Sequence, residues 1–117
     1  MNQFQNDMAA WGLEVLGSMS MNDQGVRAYR FLEEALELAQ ACGVTTGAVD
    51  ALVDYTFARP VGEVDDEIGG TLATIALLAT SFGYNLDLCA AKRLSKIRET
   101  AKIAKIRSKI SSTVPPA

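Results

Sequence analysis

Three glutamates, Glu33, Glu34 and Glu37, stand in the order E-E-x-x-E. On a helix, which turns about 100° per residue, they share roughly a third of the circumference with Arg30. The neighbouring positions, among them Phe31, Leu32, Ala35, Leu36 and Leu38, are almost wholly apolar. A helix apolar over so much of its surface is expected to be largely enclosed, which limits the access of its carboxylates to water. Close like charges repel, and semi-burial raises that cost unless a cation or an arginine compensates. A second acidic group follows at Glu63, Asp66 and Glu67, spaced i, i+3 and i+4 with Gly70 at i+7. These share one face if the helix starts by Glu63. Carboxylates at i,i+3 spacing on two facing helices form an oxygen-rich cage suited to Mg²⁺ or Mn²⁺. Such cations bridge phosphate oxygens and acidify a bound water. Two plainer explanations compete: a solvated acidic face, and first-turn acids that complement the helix macrodipole. The second accounts for Glu63, Asp65 and Asp66 better than for Glu67, which reads as a turn further in.

The charge distribution supports the metal–phosphate reading. Of 117 residues, 14 are acidic and 11 basic, a net charge of −3. Residues 1–90 hold 13 acids and 3 bases, whereas residues 91–117 hold 1 acid and 8 bases. Arg98, Lys102, Lys105 and Lys109 recur at i, i+4, i+7 and i+11 beside Ile103, Ile106 and Ile110, a cationic stripe on one helix. A solvated face paired with acidic surface is the plain alternative. The basic segment has no aromatic residue and the chain as a whole is acidic, which weighs against nucleic acid as a partner. The chain also has no histidine. Ser-His-Asp and Cys-His nucleophiles, histidine-ligated metals and imidazole bases are thereby excluded.

The elements that must carry these residues all read as helices. Gln3–Leu16 has Phe4, Met8, Trp11 and Val15 at helical spacing, closed by Gly17 and Ser18. Asn22 or Asp23 caps a second helix over 23–42 that ends at Gly43. Thr45 or Thr46 caps a third over 46–58, stopped by Pro60, because the residue before proline avoids helical geometry. The turn Arg59-Pro60-Val61-Gly62 leads to a fourth over 63–82, ended by Gly83. Asn85 or Asp87 starts a long fifth over 86–110. No stretch alternates with period two, so strands have no support. Short connections between long helices predict an all-α antiparallel bundle, one domain over 1–110 followed by a disordered tail over 111–117. Gly69-Gly70 inside the fourth helix costs about 1 kcal/mol per glycine relative to alanine. Either a neighbouring helix packs very close there or space is needed beside a metal.

Cys42 and Cys89 are too few for a disulfide scaffold or a four-cysteine zinc site and read as small hydrophobes in a reducing compartment. The first twenty residues lack the basic n-region of a secretion signal. The longest mostly apolar run, Leu72–Phe82, is shorter than the roughly 20 residues a membrane span needs. The expected setting is cytoplasmic, with no membrane partner.

At this point the residues resemble a known family, the all-α nucleoside triphosphate pyrophosphohydrolases of the MazG type, whose signature is E-E-x-x-E followed on a later helix by E-x-x-D. Glu33-Glu34-Ala35-Leu36-Glu37 matches the first half, within Arg30-Phe31-Leu32 and Leu36-Glu37-Leu38. The second half aligns at Glu67-Ile68-Gly69-Gly70, and Arg59-Pro60-Val61-Gly62-Glu63 before it looks like a subgroup common in phages and prophages. The similarity spans roughly residues 20–110. One departure is that Gly70 stands where the family has its final aspartate. Glu63 or Asp66 is the candidate replacement, since Glu63-Val64-Asp65-Asp66 is itself an E-x-x-D.

The resemblance implies hydrolysis of the α–β bond of a nucleoside triphosphate to the monophosphate and pyrophosphate. It implies Mg²⁺, with Mn²⁺ as a substitute, held by Glu34, Glu37 and Glu67, with Glu63 or Asp66 in support, and Glu33 helping to activate the attacking water. Arg27, Arg30, Arg98, Lys102 and Arg107 become candidates for contact with the triphosphate, and a homodimer or homotetramer is the expected assembly. Phe4, Trp11, Tyr29, Tyr55 or Phe82 could stack on a base, and Asn22 or Asn85 could bond its edge, although each has a structural explanation as core or cap. Some phage relatives deplete one deoxynucleotide, which makes dGTP or GTP an expectation by resemblance and the host cytoplasm the setting of a phage-encoded chain. The alternatives are a dUTPase-like or phosphoribosyl-ATP-like pyrophosphatase, which shares the acidic cage, and a catalytically silent helical binding or oligomerisation module, motivated by Gly70.

Overall fold

Three of the five helices begin where a side chain satisfies one of the first free amides. The structure is a computed structural model that describes the backbone of residues 3–113 and the side chains of residues 3–104. Helix α1 spans Gln3–Met21, α2 Gln24–Ala41, α3 Thr46–Phe57, α4 Val64–Ser81 and α5 Leu86–Thr113. Among the described residues there is no strand, in agreement with the all-α reading.

The sequence left two candidates at three of these starts, and hydrogen bonds decide each one. Asp23 caps α2, its carboxylate accepting from Val26 N–H at 3.1 Å. Thr45 caps α3 through Oγ1, which accepts from Ala48 N–H at 3.2 Å. Asn85 caps α5 through Oδ1, which accepts from Leu88 N–H at 3.0 Å. Each bond removes one of the donors that a helix N-terminus leaves without a partner inside the helix.

Two of the ends share one geometry. At the end of α2, Gly43 N–H donates to the Gln40 carbonyl and Val44 N–H to the Ala39 carbonyl, both at 3.0 Å. At the end of α4, Gly83 N–H donates to Thr80 at 3.0 Å and Tyr84 N–H to Ala79 at 2.9 Å. These are paired Schellman bonds, and they require the left-handed backbone that Gly43 (φ 87°) and Gly83 (φ 76°) supply. Gly17 (φ 81°) acts differently. It breaks the helical path as expected, but the chain resumes helical geometry and α1 continues to Met21. Beyond residue 110, α5 runs on through Thr113, three residues into the segment expected to be tail; residues 114–117 lie outside the described residues.

Backbone proximity divides the chain into two units, residues 1–21 with 75–117, and residues 22–74. In the first unit α1 packs against α5. Gly12 and Leu94 are buried there, and the Met21 thioether lies over Gly12 so closely that a Cβ would meet its sulfur at 2.5 Å. The Asp7 carboxylate accepts an ion pair from Arg98 Nη2 across the same contact, at 3.5 Å. The second unit has no such core. No residue between 22 and 74 is buried, and α2, α3 and the first part of α4 nowhere approach one another as packed helices do. The antiparallel packing expected of the second, third and fourth helices is therefore not formed within this unit of a single chain. Short connectors place helices in order along the chain, but packing needs an apolar surface in reach.

Candidate functional site

The acidic residues of both groups belong to the second unit. Glu33 is half-buried on α2 and accepts from Arg30 Nη1 at 3.0 Å, an i,i+3 ion pair. The helix register alone produces that pair, since residues three apart lie on one face. Glu34 and Glu37 project on the same side and are exposed. Among the described residues neither makes a hydrogen bond or an ion pair, whereas Arg30 is already engaged by Glu33. Arg27 is half-buried, and its Nε is enclosed with no acceptor. The expected enclosure of this helix is not met in a single copy, for α2 contains no buried residue.

The second acidic group sits at the start of α4. The first helical bond runs from Glu67 N–H to the Glu63 carbonyl at 3.0 Å, which makes Glu63 the flanking residue and Val64 the first helical one. Asp65, Asp66 and Glu67 all fall in the first turn, so the macrodipole explanation extends to Glu67, which the sequence placed a turn deeper. The Asp65 carboxylate caps locally, accepting from Asp66 N–H at 2.9 Å. Glu67 bends back over the turn that precedes its helix. A Cβ on Gly62 would lie 2.5 Å from its Oε1, so the absence of a side chain at Gly62 is what admits the carboxylate. The same carboxylate borders a shallow cleft of about 350 Å³ lined by Phe57, Arg59, Pro60, Val61 and Gly62.

Arg59 is the residue the sequence reading left without a role. Its guanidinium stands over the Tyr55 ring, 5.2 Å from the centroid, in a cation–π contact, and it lines the cleft with Glu67. The signal was present in Arg59-Pro60-Val61-Gly62: a cation just before a proline-fixed turn that leads into an acidic helix start. Arg59 lies just beyond the end of α3, in a turn closed by its N–H donating to the Thr56 carbonyl at 3.2 Å, and that turn brings it over Tyr55.

The two acidic groups are not brought together within one chain. Among the described residues no three acidic or cysteine side chains are grouped closely enough to hold a metal ion. Glu34 and Glu37 stay on α2, and Glu63, Asp66 and Glu67 stay at the head of α4. Gly69 and Gly70 have open space where a Cβ would stand, so among the described residues no neighbouring helix packs closely against them. Of the basic candidates, Arg98 is held by Asp7 in the first unit, Lys102 is exposed on α5, and the Arg107 side chain lies outside the described residues. No single helix among the described residues is long and apolar enough to cross a membrane. The chain matches no protein-family model, no curated protein and no solved structure.

Proposed function

We propose that this chain is a Mg²⁺-dependent nucleoside triphosphate pyrophosphohydrolase of the MazG type, acting on a nucleotide pool in the cytoplasm. The observation that carries the reading is the E-E-x-x-E helix: Glu34 and Glu37 lie side by side with no cationic partner among the described residues, and Glu33 is turned aside by Arg30. Two exposed carboxylates three residues apart repel one another weakly, and a cation held between them converts that repulsion into attraction. Carboxylate oxygens are the donors that hard divalent cations select, so the donor set fits Mg²⁺ or Mn²⁺. When bound, such an ion neutralises phosphate charge and acidifies a water.

The chain's own residues have the following parts in the proposal. Glu34 and Glu37, with Glu67, are the ligands, and Glu63 or Asp66 stands in for the carboxylate absent at Gly70. Glu33 accepts the proton of the attacking water, and its ion pair with Arg30 orients it beforehand. The water oxygen bonds to the α-phosphorus as the bond from that phosphorus to the α–β bridging oxygen breaks. The nucleoside monophosphate and pyrophosphate leave, and the water's proton passes to Glu33. Arg27, Arg30, Lys102, Arg98 and Arg107 are the cations available to the triphosphate. A homodimer or homotetramer and a guanine nucleotide substrate, dGTP or GTP, belong to the same reading.

The test is pyrophosphate release from the eight common ribo- and deoxyribonucleoside triphosphates with Mg²⁺ or Mn²⁺. Turnover on at least one, dependent on the metal, is the expected result. No turnover on any, together with no metal-dependent rise in melting temperature, overturns the proposal. A second reading, a catalytically silent helical module, is favoured by Gly70 at the place of a ligand aspartate, and that double-negative result supports it.

A further inference from the structure

Residues 22–74 hold ten acids and only three bases, Arg27, Arg30 and Arg59. With acids in such excess, each cation is expected to find an acidic partner. Arg30 pairs with Glu33, and Arg27 is half-buried with its Nε enclosed. Arg59 is exposed, and among the described residues its side chain makes no ion pair and no hydrogen bond. Its guanidinium rests on the Tyr55 ring instead, 5.2 Å from the centroid. A ring engages the face of a guanidinium and leaves the N–H donors at its edge free to bind an anion. The Arg59 donors are therefore held in place and uncommitted.

A charge of the other sign borders the same cleft. Glu67, folded back into the space that Gly62 leaves, lines the cleft of about 350 Å³ together with Arg59. The two do not pair with one another. Phe57, Pro60 and Val61 supply the apolar part of the lining, and an apolar wall with a few placed polar groups is the usual composition of a small-molecule site. The turn that carries Arg59 is fixed before any ligand arrives. Ala58 N–H donates to the Asp54 carbonyl and Arg59 N–H to the Thr56 carbonyl, both at 3.2 Å, and the ring of Pro60 locks the next φ. Such preorganisation lowers the ordering cost of binding. A ligand that satisfies both charges presents acceptor oxygens to Arg59 and a cation to Glu67. A polyphosphate carrying a divalent ion does both, with oxygens that match the arginine fork and a metal that takes a carboxylate.

We propose that this cleft binds a metal-bound polyphosphate group, with Arg59 donating to phosphate oxygens beside the ion that Glu67 ligates. The part of Glu67 rests on the pyrophosphohydrolase reading, to which Arg59 adds an anion-binding residue from the same unit as the acids. Arg59 neutralises phosphate charge and transfers no proton, since its guanidinium stays ionised. Gly62 has a part too, because its missing side chain gives the Glu67 carboxylate room at the cleft.

The test is calorimetric titration of the full chain with pyrophosphate in the presence of Mg²⁺, which needs no turnover. The unaltered chain is expected to bind. Arg59→Ala is expected to weaken binding by about tenfold or more, the size of a lost hydrogen bond to a charged group. Arg59→Lys is expected to recover part of that loss, because lysine keeps the charge without the fork. Arg93→Ala removes an exposed cation from α5 and is expected to bind as the unaltered chain does. Gly62 has no positive φ, so an alanine suits its backbone and displaces the Glu67 carboxylate. Gly62→Ala is accordingly expected to raise the Mg²⁺ concentration for half-maximal binding severalfold. No binding by the unaltered chain overturns the proposal, as does an Arg59→Ala variant of undiminished affinity. An Arg93→Ala variant weakened as much as Arg59→Ala overturns it too, because general charge attraction then accounts for the binding. Nucleotide turnover alongside undiminished binding by Arg59→Ala removes this proposal alone. Arg59-dependent binding without turnover on any nucleotide removes the catalytic reading alone.

Discussion

Among the described residues, Glu34 and Glu37 are exposed and their side chains make no hydrogen bond or ion pair in the single chain, as is also true of Asp50 and Asp54. A residue that is exposed and unpaired can be altered without loss of fold, since surface substitutions away from caps and core usually stay within about 0.5 kcal/mol. Glu37→Gln is therefore expected to leave the metal-free melting temperature unchanged while pyrophosphate release falls by about a hundredfold or more, a size typical of losing one electrostatic contact to the transition state. Parallel melting and turnover measurements check both halves. Gly70→Asp is the complementary change. A Cβ there meets nothing within 4 Å, and the substitution removes a helix-interior glycine, which costs about 1 kcal/mol relative to alanine. The variant is expected to fold at least as well as the parent and to reach half-maximal activity at a lower Mg²⁺ concentration. An unchanged metal titration would show that Glu63 or Asp66 already serves in that place.

At the scale of the element, the helix boundaries follow from local chemistry and are testable without reference to function. Asp23→Ala deletes the bond to Val26 N–H and is expected to destabilise α2 by about 1 kcal/mol, as is Thr45→Ala for α3. Gly43→Ala forces a side chain into left-handed backbone, a penalty of about 1–2 kcal/mol. Denaturant titrations of the three variants measure these differences. Almost all of this level was legible in the sequence, because caps, Schellman glycines and the proline stop act over a few residues. Two features were not. Gly17 reads as an end, but the chain on its far side turns helical again, which the left-handed residue itself does not reveal. Glu67 reads as a turn inside its helix, and the proline-led turn places it in the first turn.

At the scale of the whole molecule, acids and apolar surface lie together on the second unit. In the proposed homodimer or homotetramer, catalysis depends on pairing as well as on metal. Specific activity is then expected to fall on dilution through the dissociation constant of the pair, and to recover on reconcentration. An activity per chain that stays constant across the dissociation measured by light scattering would show that a single copy is sufficient for catalysis. The E-E-x-x-E register was visible from spacing alone, since it depends only on helical periodicity. That its carboxylates do not meet those of α4 in one copy was not visible, because spacing says which face a residue occupies and nothing about what that face meets.

The opposite charges of the two ends, the five helices and the pairs of residues able to cap three of them were determined by the sequence, because each follows from short-range chemistry: dihedral preferences, first-turn hydrogen bonds, side chains three or four apart. The tertiary structure decided which helices pack. It joined α1 to α5 through Leu94, Gly12 and the Asp7–Arg98 pair, and within the second unit it left Phe31, Leu32, Leu52, Ile68 and Leu72 more than half exposed. Burial is a property of surfaces brought together over long sequence distances. An apolar face written into a helix specifies that it must be covered, and only the packed molecule specifies by what.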